Sequence, residues 1–161
     1  MKVRIFILLI PLLLFFQACV SQPYLKENTA LIVFKTPTFR YADMGFIYEN
    51  NDEVKVEIYG NGQALMALKI TQNSVCMSLL ECMSKKSFNQ KVLNRYYPEE
   101  VLDDIFRGKP IFHAKHLKKN RNGFTQTIVK ADKYNIHYSV LKHEIIFRDT
   151  INTILIKVKK Q

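Results

Sequence analysis

Glu53-Val-Lys-Val-Glu-Ile-Tyr59 is the stretch on which the reading of this chain turns. Val54, Val56 and Ile58 alternate strictly with Lys55 and Glu57, and a two-residue period belongs to a half-buried β-strand. Gly60-Asn61-Gly62 then turns the chain, and Ala64 to Thr71 returns with Ala64, Met66, Leu68 and Ile70 on one face. The unit is antiparallel, because a turn this short cannot connect parallel neighbours.

The pattern extends in both directions. Upstream, Ala30 to Lys35 is an apolar run that fits a short strand, and Thr38 to Tyr48 places Ala42, Met44, Phe46 and Tyr48 on one face before the turn Asn50-Asn51-Asp52. Downstream, Ser74 to Met77 is another short strand, and then the period changes. Phe88, Val92 and Tyr96 recur every four residues, predicting a helix over Ser84 to Tyr97. Pro98 is suited to open a second helix, with Glu99 and Glu100 in its first turn, an apolar stripe of Val101, Leu102, Ile105 and Phe106, and Gly108 as its cap. After Pro110 strands resume at Ile111 to His116. A basic turn with Lys118, Lys119 and Arg121 closes on Asn122-Gly123, a strong hairpin signal, before Phe124 to Lys130. Tyr134, Ile136, Tyr138 and Val140 alternate, and Glu144 to Arg148 and Ile151 to Val158 complete the chain. The fold class is α+β: a curved antiparallel sheet of eight to ten strands, an incomplete β-barrel, with two or three short helices from an insertion at about 84–108 covering its open side.

The N-terminal segment is read as an address and not as structure. Lys2 and Arg4, the apolar run Ile5 to Phe16 and the sequence Gln17-Ala18-Cys19 have the three parts of a secretory signal, with cysteine after the cut. The run is too short for a stable bilayer anchor. We expect residues 1–18 to be removed and Cys19 to carry lipid; the alternatives are a plain signal cut near Ala18 and an uncleaved apolar anchor. Residues 19–29 then form a lipidated tether and 30–161 one domain. Val20 in place of aspartate after Cys19 points to the periplasmic face of the outer membrane. The net charge of +10 falls to +8 when Lys2 and Arg4 leave with the signal. Export argues against a nucleic-acid partner, so the basic turn Lys118, Lys119 and Arg121 is read as a contact for anionic lipid headgroups. Solvated lysines that keep a tethered domain soluble are an equally good reading. With Cys19 committed to lipid, Cys76 and Cys82 form an even remainder that suits a disulfide; a metal pair or a redox pair is the alternative, though five intervening residues do not match the two-residue redox spacing and zinc would need two more ligands.

No catalytic constellation emerges. His113 and His116 lie three apart in a predicted strand and so point to opposite faces, while His137 and His143 have no ligand spacing. Asp103 and Asp104 are adjacent on a predicted helix and read as solvated surface, and Ser74, Ser78 and Ser139 lack a glycine elbow. The chain is therefore not expected to be an enzyme, nor to hold a metal or cofactor. Its surplus is apolar residue, which a curved sheet can use to enclose a cavity. The residues expected to line it are Phe46, Val54, Val56, Ile58, Met66, Leu68, Ile70, Ile105, Phe106, Ile136 and Tyr138.

Val54 to Tyr59, Gly60 to Gln63 and Tyr97 to Pro110, followed by Phe124-Thr-Gln126 and Tyr134 to Tyr138, give an order of elements that resembles LolB-type outer-membrane lipoprotein receptors and their soluble LolA-type carriers. The resemblance covers Thr38 to Val158. It implies an incomplete barrel closed by helices, binding the acyl chains of lipoprotein cargo handed over by a soluble periplasmic carrier, and so a role in localising lipoproteins to the outer membrane. Two features depart from that family: Gly60-Asn61-Gly62-Gln63 is short and polar where the receptors carry a protruding apolar loop, and the chain has no tryptophan. An envelope assembly lipoprotein that binds another protein through the sheet edge or the basic hairpin is the competing reading.

Overall fold

The computed structural model describes residues 23–77 and 81–161; the signal, Cys19 and the first residues of the tether lie outside them. Eleven strands form one antiparallel sheet among the described residues. They are β1 (Lys26–Lys35), β2 (Arg40–Glu49), β3 (Glu53–Gly60), β4 (Gln63–Thr71), β5 (Ser74–Cys76), β6 (Cys82–Ser84), β7 (Leu117–Asn120), β8 (Gly123–Lys130), β9 (Tyr134–Leu141), β10 (Glu144–Asp149) and β11 (Ile154–Lys160). Two helices, α1 (Lys85–Val92) and α2 (Val101–Arg107), lie between β6 and β7. The spatial order is β6-β5-β4-β3-β2-β1-β11-β10-β9-β8-β7, so the sheet is open and does not close into a barrel. Two meanders, each built from neighbouring hairpins, meet where β1 pairs with β11.

Alternation drives this arrangement. Val54, Val56, Ile58, Leu68, Ile70, Ile32, Phe34, Ile156 and Phe147 all point to one face and are fully buried. Each apolar side chain of this size contributes about 1.5–3 kcal/mol on burial. Both helices cover that face. α2 touches both β3 and β10, which are four strand positions apart, or about 19 Å along a flat sheet. Curvature brings the two within reach of one helix of seven residues.

Several boundaries differ from expectation. β1 begins at Lys26, not Ala30, because Lys26 to Thr29 pair with Phe46 to Glu49 of β2. α1 stops at Val92: Leu93 leaves helical geometry, and Asn94 turns the chain by accepting from the Tyr96 amide and donating to Lys133 O. Tyr96 is consequently exposed and Tyr97 takes the buried position. α2 starts at Val101, so Asp103 and Asp104, not Glu99 and Glu100, occupy its first turn, while Gly108 caps it as expected with φ 67°. Ile111 to His116 is not a strand. Phe112, His113, Ala114 and His116 all have positive φ, a region costing L-residues roughly 1–2 kcal/mol each. Gln126, buried in β8, pins this segment: its amide donates to Ile111 O at 3.0 Å and Lys115 O at 2.7 Å and accepts from Ile111 N at 2.9 Å.

Asp149 performs the matching task at the other end of the helical crossing. Its buried carboxylate accepts from Tyr97 Oη at 2.5 Å, from Asn152 Nδ2 and from the amides of Asn135, Ile151 and Asn152. Burial and this carboxylate together raise the Tyr97 phenol far above its ordinary range. Gln126→Ala is expected to lower stability by about 2–4 kcal/mol, since it strands the buried N–H and C=O of Ile111, removes the bond to Lys115 O and releases a strained turn. Urea unfolding of the two proteins measures this, and a loss below 1 kcal/mol would mean the turn holds itself.

Candidate functional site

The inner face between α2 and the sheet is where the expected cavity residues come together. Val54, Val56, Ile58, Met66, Leu68, Ile70, Ile105, Phe106, Ile136 and Tyr138 belong to one buried cluster. Phe34 stacks on Phe106 with ring centroids 6.4 Å apart, and Tyr138 contacts Phe124 and Phe147. The face is filled by side chains: each of the ten cluster residues is at 5 % exposure or less, and Phe124 is partly buried at its margin.

Phe46 is the exception, and its assignment to the inner face is corrected. On β2 the inward residues are Gly45, Ile47 and Glu49, so Phe46 and Tyr48 point outward. Parity is enforced at Gly45, where a Cβ would lie 2.0 Å from Glu57 O of the neighbouring strand. Phe46 instead packs on the outer face against Tyr48 and Tyr59, at 6.1 and 5.8 Å between centroids, and Tyr24 extends the group. Lys55–Glu57 and Lys69–Glu53 ion pairs, each 2.7 Å, frame this outer cluster.

Polar contacts hold α2 over the inner face. Arg107 pairs with Asp103 at 2.9 Å along the helix and donates from Nη1 to Asn50 O at 2.7 Å. Tyr138 Oη donates to Lys109 O at 3.0 Å just beyond the helix, and burial raises that phenol above its ordinary range. The solvated surface expected for Asp103 and Asp104 is corrected: both lie part-buried. Burial, then the neighbouring Asp103 charge, push the Asp104 carboxyl up to about 6. The sequence does place both aspartates inside an apolar stripe, but Asp103 has the Arg107 guanidinium as a partner, and that pairing depends on where the helix starts.

The remaining expected residues fall elsewhere. Cys76 and Cys82 are bonded, directly opposite one another in β5 and β6, with Cα atoms 3.9 Å apart. The crosslink joins the end of β5 to a short strand that runs straight into α1, whose cap is Ser84. Lys118, Lys119 and Arg121 are exposed on the β7–β8 hairpin at the sheet edge, but they do not form one surface. Lys118 pairs across to Thr125 on the outer face and Lys119 to Phe124 on the inner side, with Arg121 in the turn. His113 and His116 lie in the positive-φ turn and His137 on β9. Among the described residues no three His, Cys, Asp or Glu are placed to hold a metal ion, and no helix is long and apolar enough to cross a membrane.

Comparison with family models and with curated proteins returns no match.

Because the Asp104 carboxyl is raised in the folded state, it favours folding below its ordinary value of about 4. That contribution is lost as pH rises through about 6. Asp104→Asn is therefore expected to melt higher than the parent at pH 7 and to lose that advantage at pH 4. Thermal melts at both values test this, and an unchanged difference would place Asp104 in solvent.

Proposed function

We propose that this protein is a membrane-anchored periplasmic lipoprotein that binds acyl chains on the inner face of its sheet, acting as a LolB-like acceptor that helps localise lipoproteins to the outer membrane. The observation that carries this reading is the placement of α2. One short helix lies across a broad, continuous, apolar face and touches strands from both meanders, which supports reading the open sheet as an incomplete barrel with a lid. The lid is attached by few polar contacts, through Arg107 and the Tyr138 hydroxyl. Displacing it would expose an apolar floor of Val54, Val56, Leu68 and Ile136. Burying about ten methylenes there contributes roughly 8 kcal/mol before entropic losses. Delivery would come from a soluble carrier, and the lipid on Cys19 would hold the acceptor at the membrane.

The competing reading, an assembly lipoprotein that binds another protein and has no lipid cavity, draws on the filled state of the same face. Native mass spectrometry of the full chain, purified gently from an envelope fraction, separates the two. Adducts of acyl-chain or lipopeptide mass are expected beyond the lipid on Cys19, lost in Val56→Glu and more abundant in Arg107→Ala, which loosens the lid without altering the floor. The same preparation of Cys19→Ser should lack the anchoring lipid. An adduct-free mass that persists in Arg107→Ala after incubation with lipids would overturn acyl binding and leave the protein-partner reading.

A further inference from the structure

The outer face of the sheet carries a line of basic side chains that the acyl-binding reading does not use. Lys35 of β1, Leu155 of β11, Arg148 of β10 and His137 of β9 are direct partners across successive strands. The line continues to Thr127 of β8 on one side and to Arg40 of β2 on the other. Register alone thus puts Lys35, Arg148 and His137 in one row about 14 Å long. Among the described residues, Lys35, Arg40 and Arg148 make no ion pair, whereas Lys55 of β3 and Lys69 of β4 are matched by glutamates.

Arg148 is shared by two adjoining clefts. One, of about 310 Å³, is bordered by Arg148, His137, Thr125, Thr127 and Ser139 on the outer face, with Ile146 beside them and Gln126 and Tyr138 at its floor. The other, of about 230 Å³, is lined by Lys35, Arg148 and the hydroxyls of Thr150 and Thr153. Asp149 borders the second cleft, but its carboxylate is turned inward and committed to Tyr97, Asn152 and three backbone amides. Each cleft therefore combines unpaired positive charge with hydroxyl groups.

We propose that this row is a binding site for a saccharide bearing at least two phosphates, with Arg148 between them and the Lys35 and His137 ends each receiving one. Guanidinium and phosphate match in geometry as well as in charge. The hydroxyls suit the sugar, and the two recesses suit discrete groups more than a flat bilayer surface. Of the rings that border the first cleft, Tyr138 is buried in the core and only the His137 imidazole is exposed, and the second cleft has none, so successive nucleic-acid bases lack a stacking platform here.

Isothermal titration of the full chain with a de-acylated bisphosphorylated glucosamine disaccharide tests the assignment. The unphosphorylated disaccharide, inorganic phosphate, a single-stranded oligonucleotide and phosphatidylglycerol vesicles serve as comparison probes. The bisphosphate is expected to bind better than all four and to weaken as salt rises. Arg148→Gln and Lys35→Gln should each reduce its affinity about tenfold, while Lys86→Gln on α1 leaves it unchanged. The row side chains are exposed, so these variants keep the parent melting temperature. Equal binding of the unphosphorylated sugar, equal or tighter binding of oligonucleotide or vesicles, or affinity unaffected by Arg148→Gln would each overturn the proposal. Acyl adducts on the inner face are read independently of this titration, so either assignment can fail without the other.

Discussion

The pairing of β1 with β11 is the contact on which the rest of the structure depends. It joins a strand from the start of the domain to the strand at its end, through a register running from Ala30 opposite Lys160 to Lys35 opposite Leu155. Without it the chain is two separate meanders, each with one apolar face and no partner for it. With it the two faces become one continuous surface broad enough to curve, and α2 has strands on both sides to rest against. Such a contact is costly in chain entropy, since the segment it closes is most of the domain. Local hairpins are the elements that can form before it, and the seam then converts them into one core.

Hairpins and strand identities were legible because they are local. Val54, Val56 and Ile58 declare their face within seven residues, Asn122-Gly123 marks the β7–β8 turn, and Gly108 marks the end of α2. What failed depends on partners. Phe46 and Ile47 are both apolar, so alternation on β2 leaves two parities open; the decision rests on Gly45, which alone fits against Glu57 O of β3. Residues 111–116 carry strand-like composition, yet the three hydrogen bonds of Gln126 hold them in a positive-φ turn that no local pattern announces. The row from Lys35 to His137 was invisible for the same reason. Its members are 102 positions apart in sequence, and only the seam makes them neighbours.

The seam also separates chemistry by face. Buried inward positions of β1, β11, β10 and β9 are apolar or aromatic apart from the fully hydrogen-bonded Asp149, while the outward positions at one end of the same strands are Lys35, Leu155, Arg148 and His137. The short edge strands β6 and β7 limit further pairing, and Lys118 and Lys119 on β7 add charge to that edge. A protein built this way has two unlike surfaces back to back, so an apolar ligand inside and an anionic one outside would not compete for the same side chains.

Whether the inner face can open is a question of exchange more than of rupture. α2 contributes Val101, Leu102, Ile105 and Phe106 to the core, and removing four such side chains to water costs roughly 6–12 kcal/mol. The polar contacts through Arg107 and Tyr138 add about 1 kcal/mol each. On the proposed acyl-binding reading, a chain of about ten methylenes would return roughly 8 kcal/mol by covering the floor that the helix leaves. The ligand alone would not offset the upper part of that cost, so opening would require the helix to stay near enough to keep part of its own apolar face against the incoming chain. Gly108, already in the left-handed region, and the Asn94 turn bracket the segment that would have to move. Asp104 adds a bias in the same direction. Its carboxyl ionises reluctantly while the helix is down, so near neutral pH its charged form favours the position in which it meets water.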